Sequence, residues 1–212
     1  MGSLTQTQRS IIIGSVLGDG YLRIVPKRKN AFLEINHTFH QKEYVDWKYS
    51  MLEPICRSGP VVRKGNGCRV AYRFTTRQSE EISEIYRRFY RDRRKFIPDD
   101  LILDPLMLAV WYMDDGSICG KSIYLNTQQF DSEDQRKCIL LLKMLNIEST
   151  LNRDKIYWRI RIRTASASGF FNLISPYVTP SMQYKLSYSP VETRWIKPSE
   201  LPIKAANTPT PL

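Results

Sequence analysis

No apolar run in the 212-residue sequence approaches the roughly 20 consecutive residues that cross a bilayer, which argues against a membrane-spanning helix and a membrane partner. No charged stretch precedes "IIIGSV" near the start, and that segment is short and broken by glycine, so a signal peptide is not expected. Cysteine is sparse and scattered. Cys56, Cys68, Cys119 and Cys138 form no C-x-x-C pair, and His37 and His40 are the only histidines. Neither a zinc site nor a disulfide framework fits that pattern, and a reduced intracellular setting does, with bacterial cytoplasm and organelle both open. Acidic residues are also in deficit, 21 against 32 Lys plus Arg, leaving a net charge of +11. Such an excess points to a polyanionic partner, nucleic acid above all. With 42% hydrophobic and 11% aromatic residues, the chain has material for a core of one large domain or two of roughly 100 residues.

Two stretches organise what is present. Thr5 and Gln8 form a T-x-x-Q capping box that opens a helix predicted to run to about Gly18. Asp104-Pro105, an N-cap followed by proline at the first helical position, opens a second helix to about Asp114. Both run into Asp-Gly, at Asp19-Gly20 and Asp115-Gly116, and the two stops lie 96 residues apart. Gly20 and Gly116 are expected to take the left-handed conformation that ends a helix.

After each stop the pattern repeats. A hairpin follows ("YLRIV" with "AFLEINHTF"; "SIC" with "KSIYLNTQQF"), then a helix, near 41–52 and 132–145, the latter with a Ser132/Gln135 capping box. A second hairpin turns around Gly65-Asn66-Gly67 in one half and around Asn152–Asp154 in the other, and helices near 79–90 and 166–174 close the halves. The prediction is an α+β chain with αββαββα twice: repeats at 1–97 and 98–190 joined through "KFIPDDLILDP", and a tail at 191–212 whose proline-rich part is 198–212.

Strand alternation gives each sheet two unlike faces. Arg159, Arg161 and Arg163 oppose Trp158, Ile160 and Ile162; Arg69, Arg73 and Arg77 oppose Val70, Tyr72 and Phe74. Tyr21 and Arg23 lie opposite Leu22 and Ile24, and Glu34 and Asn36 opposite Leu33 and Ile35. A charged outer face keeps a sheet soluble, but nearly unbroken Arg rows in both halves repel themselves unless a partner offsets them. Arg and Asn also suit base edges in a major groove. Candidate DNA contacts therefore include these residues and the basic turns carrying Lys27, Arg28, Lys29, Arg63, Lys64, Lys121 and Arg153.

An acidic residue at the negative end of a helix needs compensation, and a divalent cation held by carboxylate and helix-end carbonyl oxygens supplies it. Gly14 and Gly18 share a helix face, and Ala109 and Val110 are the small residues of the second helix. Side-by-side parallel packing of the two helices would bring Asp19 and Asp115 together, where paired carboxylates can hold Mg²⁺ for phosphodiester hydrolysis.

"IIGSVLGDG" (12–20) and "LAVWYMDDG" (108–116) resemble the two motifs of single-chain LAGLIDADG homing endonucleases, and the likeness extends through "SIYLNTQQF" and "YVTPSMQYKL" over about residues 5–190. The resemblance implies a pseudo-symmetric DNA-binding saddle with the motif helices at its centre, and a monomer cleaving both strands of a long asymmetric double-stranded DNA site. It implies metal binding by Asp19, Asp115 and the carbonyls of Gly18 and Asp114, basic residues Lys95 and Lys185 near the scissile phosphates, and water-ordering roles for Gln41, Asn126 and Gln128. It further implies 3′ overhangs, a mobile host intron, and Mg²⁺ as cofactor, with Mn²⁺ substituting and Ca²⁺ supporting binding without cleavage. Two rivals share the fold: an RNA maturase acting on intron RNA, and a DNA-binding regulator without chemistry.

Overall fold

The computed structural model describes residues 3–65 and 70–186. The first half contains α1 (Gln6–Leu17), β1 (Tyr21–Ile24), β2 (Ala31–Thr38), α2 (Lys42–Leu52), β3 (Val61–Lys64), β4 (Val70–Thr75) and α3 (Glu80–Phe89). A short ribbon, β5 (Tyr90–Arg91) with β6 (Arg94–Lys95), leads into the second half. There follow α4 (Pro105–Asp115), β7 (Gly116–Cys119), β8 (Ser122–Leu125), α5 (Ser132–Met144), β9 (Ser149–Asp154), β10 (Tyr157–Ile162) and α6 (Ala167–Ile174). A 3₁₀ segment, Pro180–Leu186, comes last among the described residues. Arg69, the tip of the β3–β4 hairpin and the 191–212 tail lie outside them.

Both four-stranded sheets are antiparallel and have the same permuted order, β1-β2-β4-β3 and β7-β8-β10-β9. The duplicated α+β pattern read from the sequence is thus realised as two like sheets. Their inner faces supply Leu22, Leu33, Ile35 and Phe74 in one half and Ile123, Leu125, Ile160 and Ile162 in the other, all buried in one core. Trp158 departs from this pattern. It lies on the apolar side near the free end of the β9–β10 hairpin, beyond helix cover, and is 46% exposed.

The helix starts follow their caps, with one exception. Thr5 accepts from the Gln8 amide while Gln8 bonds back to the Thr5 amide, and Asp104 caps α4 through the Met107 amide. For α5 the cap is Asp131, which accepts from the amides of Glu133 and Asp134. The expected Ser132/Gln135 box does not form, because Gln135 is buried and donates to the carbonyls of Thr127 and Trp158. The β9–β10 turn also lies later than the sequence suggested: Asp154 pairs with Tyr157, and Lys155 takes the left-handed conformation at φ 57°.

α1 and α4 pack side by side at the centre of the core. Ser10 donates to the Asp104 carboxylate, Gly14 meets Met107 and Val110, and Gly18 meets Asp114, so the contacts advance together and the helices run parallel. A Cβ on Gly14 would come within 2.6 Å of the Met107 carbonyl, and one on Gly18 within 2.5 Å of Asp114 Cβ. Gly20 and Gly116 serve a different purpose from the one expected. Among the described glycines only Gly120 has positive φ, and Gly116 is extended at φ −77°. Both are glycine for space: a Cβ would lie 2.7 Å from Ser15 Cβ at Gly20 and 2.1 Å from the Tyr112 ring at Gly116.

Candidate active site

The parallel packing delivers Asp19, just past the end of α1, and Asp115, the last residue of α4, to one cleft of about 340 Å³. Gly18, Lys95, Asn126, Gln128 and Gln129 complete its walls. Asp19 is half-exposed, whereas Asp115 is largely enclosed and its carboxyl is pushed up to about 7. Burial is the main cause, and the charges of Asp19 and Asp114 add to it. A carboxyl whose ionisation is opposed by burial and by a neighbouring carboxylate marks a place where a cation is welcome.

The two lysines sit on the helix ends. Lys95, presented by β6, donates to the Gly18 carbonyl at 2.8 Å. Lys185, from the final 3₁₀ segment, donates to the carbonyls of Met113 at 2.6 Å and Asp114 at 3.2 Å. Burial lowers the basicity of both, that of Lys95 to about 8. Each ammonium thus lies on the last turn of a motif helix, where the free carbonyls gather negative charge.

Asp114 belongs to a different environment from its neighbour. Its carboxylate is fully buried and receives Lys48 Nζ at 2.8 and 2.9 Å and Tyr44 Oη at 2.8 Å. Tyr44 and Lys48 are one turn apart on α2, so a single helix face supplies both partners. His37 is buried beside them, its Nδ1 3.1 Å from Gln41 Oε1 and 3.8 Å from Asp19, and its Nε2 3.7 Å from Asp114. Burial, then the charge of Lys48, makes this imidazole harder to protonate.

Of the three residues expected to order water, two line this cavity and the third lies beside His37. Gln41 is engaged with His37 and does not line the cavity. Asn126 lines it and bonds to Ser117 and Arg159, while Gln128 lines it and donates to Asp154. The residue that reaches both helix ends is Gln129: its Nε2 lies 3.1 Å from the Leu17 carbonyl, 3.4 Å from that of Gly18 and 3.3 Å from Asp115 Oδ2. Two adjacent glutamines gave the sequence no means of choosing between them.

The donor set fits a hard cation. Among the described residues no group of three or more His, Cys, Asp or Glu side chains gathers to hold a metal. Two carboxylates and two helix-end carbonyls are instead the sparse, all-oxygen set that suits Mg²⁺, which keeps waters and takes up phosphate oxygens. Asp19, Asp115 and the carbonyls of Gly18 and Asp114 are the groups that would hold it.

Beyond the cleft, the outer sheet faces carry the side chains expected there, with one change. Tyr21, Arg23, Glu34, Asn36 and Arg73 share the outer face of the first sheet, by their strand register. The Arg row is not unbroken, since Glu34 lies 3.5 Å from Arg23 and 3.8 Å from Arg73. Arg63 and Arg161 extend the outer faces on β3 and β10, and Arg159 stacks 3.9 Å from the centre of the Tyr124 ring. Lys27, Arg28, Lys29, Lys64, Arg77, Lys121, Arg153 and Arg163 are exposed in turns and at strand ends. Lys64 falls on the inner-face register of β3, at a hairpin end too short to be covered.

A paired acidic cleft set between two like antiparallel sheets with basic outer faces defines a duplicated α+β protein equipped for a cation and a polyanion. More narrowly, the LAGLIDADG DNA endonuclease family matches residues 9–170, and the chain belongs to that family. Among solved structures, the homing endonuclease I-WcaI bound to its DNA recognition sequence superposes with a TM-score of 0.81 at 27% identity, over 88% of each chain. I-DmoI in complex with DNA and Mn, at 14% identity and a TM-score of 0.53, shares the fold. Cytochrome b mRNA maturase bI2 of Saccharomyces cerevisiae is 30% identical over 205 residues, 88% of this chain. Protein RecA of Mycobacterium shimoidei is 29% identical over 225 residues, 93% of this chain. The chain spans about half of each of these two relatives, 48% and 51%. It spans 87% of a probable intron-encoded endonuclease of Wickerhamomyces canadensis, at 28% identity.

Proposed function

We propose that this chain is a monomeric, site-specific homing endonuclease that binds a long asymmetric double-stranded DNA target, hydrolyses both strands and thereby promotes mobility of its host intron. The observation that carries this reading is the meeting of Asp19 and Asp115 in one cleft flanked by Lys95 and Gln129. Asp19, Asp115 and the carbonyls of Gly18 and Asp114 would hold Mg²⁺, with Mn²⁺ as a substitute and Ca²⁺ as a non-cleaving one. A cation held there would supply a more acidic water and positive charge for the leaving oxygen. Lys95 and Lys185 neutralise phosphate charge beside the carboxylates, Gln129 and Asn126 orient water and carbonyl oxygens, and the outer Arg and Asn side chains fix position and sequence on the duplex. Intracellular action, in an organelle or bacterial cytoplasm, accords with this chemistry.

Selection of cleaved sites from a randomised duplex library, with Mg²⁺ and with Ca²⁺ as control, tests the reading. Recovery of one asymmetric site cut in both strands with Mg²⁺ alone supports it. No enrichment, or equal cleavage by the Asp19→Asn/Asp115→Asn double variant, overturns it. The similarity to an mRNA maturase supports a second reading, in which the chain also assists splicing of intron RNA. Splicing that survives the double Asn variant would separate the two activities.

A further inference from the structure

The same backbone oxygens carry two assignments. The Gly18 carbonyl accepts from Lys95 at 2.8 Å, and the Asp114 carbonyl from Lys185 at 3.2 Å. Those two carbonyls are also the ones assigned to a divalent cation. An oxygen that accepts from an ammonium cannot also bind Mg²⁺ at about 2.1 Å without setting two cations against each other. The arrangement occurs in both halves although the lysines come from unlike elements, the strand β6 and a 3₁₀ segment. Lys185 reaches further along its helix, lying 2.6 Å from the Met113 carbonyl and 3.4 Å from that of Tyr112.

The geometry points to Lys95 and Lys185 as internal placeholders: in the metal-free protein each ammonium occupies a carbonyl ligand of the cation site and vacates it as cation and DNA phosphate arrive. This inference rests on the cation-binding reading of the Asp19–Asp115 cleft. In the free protein the ammonium offsets the negative charge of helix-end carbonyls in a partly enclosed site, where the Gly18 carbonyl has otherwise, among the described residues, only the longer contact from Gln129. When a phosphate offers a better partner, the lysine turns to it and releases the carbonyl. Cation and phosphate therefore favour each other's binding, and because such coupling is reciprocal, each raises the other's affinity by one factor. The device weakens cation binding in the cleft until DNA is in place.

Calorimetric titration of the full chain with Ca²⁺, without DNA, tests it. Lys95→Met and Lys185→Met are each expected to bind Ca²⁺ at least about fivefold more tightly than wild type. Both are expected to melt at lower temperature than wild type when metal-free, since a helix end loses its cap. Arg94→Met removes one exposed charge from the neighbouring position and is expected to leave Ca²⁺ affinity near wild type. Unchanged or weaker binding in the lysine variants overturns the proposal, as does a gain matched by Arg94→Met, which would show a general field effect. If the lysine variants do not fold, wild-type Ca²⁺ affinity measured with and without a duplex decides, and equal values overturn it. Asp19→Asn and Asp115→Asn separate the two layers. If they bind Ca²⁺ as wild type does, the cation site itself is misassigned; if they lose Ca²⁺ and the lysine variants gain nothing, only the placeholder role fails.

Discussion

The ends of α1 and α4 occupy matching positions 96 residues apart, yet they are built differently. α1 ends in Gly18 before Asp19; α4 carries Asp114 before Asp115. Asp114 fills the space that Gly18 leaves, its Cβ standing 2.5 Å from where a Gly18 Cβ would be. Two helices packed this closely admit a side chain at one of the two positions only. Duplication therefore supplies like scaffolds, and close packing forces the site out of symmetry. The carboxylate that wins the space is buried, so it needs a buried cation, and Lys48 on α2 of the first half provides it. One half-site is consequently braced by an ion pair that crosses between the halves, while Asp19 stands half-exposed.

The comparison yields a graded set of tests. The largest effect is expected where the halves are alike: Asp19→Asn or Asp115→Asn should each lower double-strand cleavage on the order of 10³-fold while leaving DNA binding within a few-fold, measured by cleavage and gel-shift assays. Retained cleavage in either variant would show that the two acids are not equivalent. Next comes the brace. Lys48→Met strands a buried carboxylate and should cost about 3–5 kcal/mol in denaturant unfolding, with Lys48→Met/Asp114→Leu recovering part of the loss. If the single variant unfolds like wild type, the ion pair between the halves is not holding Asp114.

A smaller difference is expected on the sheets. Arg73 shares Glu34 with Arg23, whereas Arg161 has no carboxylate partner among the described residues. Arg161→Ala should cost about 1–3 kcal/mol of binding and relax preference at particular base pairs, and Arg73→Ala should cost less. Equal, sequence-independent losses would assign both to phosphate.

The last difference is in metal-free stability. The folded protein holds the Asp115 proton up to about pH 7, while the unfolded chain releases it near the ordinary carboxylate value of 3.8. Folding therefore binds a proton across that window, and stability falls as pH rises through it. The melting-temperature advantage of Asp115→Asn over wild type should be larger at pH 8 than at pH 5, by about 5–10 °C. An advantage independent of pH would place the cause elsewhere than in ionisation.

Much of this was legible in the sequence because duplication states each signal twice. The two Asp-Gly stops, the caps at Thr5 and Asp104 and the alternation in "IYWRIRIR" led to the helix pair, the sheets and the acids. What escaped notice depends on contacts between distant segments. Lys48 reads as one more surface lysine, although its place in "YVDWK", one turn after Tyr44 and on the buried side of α2, was a signal. Gln129 is distinguished from Gln128 only by the path of the chain after β8. Gly20 and Gly116 mark the helix stops in the sequence, but the side chain of Ser15 at the first and the ring of Tyr112 at the second, not backbone handedness, exclude a side chain there.

The parallel contact between Ser10 and Asp104, repeated down to Gly18 and Asp114, has a bearing on biosynthesis. α1 is made first, and every residue of its segment Ser10–Leu17 is buried in the finished protein. Its partner is translated roughly 96 residues later, a wait of about 5–20 s at ordinary elongation rates. During that interval the nascent N-terminal half displays an uncovered apolar stripe on the ribosome. Chaperone occupancy of early translation intermediates, released once Pro105–Asp115 has emerged, is the expected signature of a core whose centre is closed by two helices far apart in sequence.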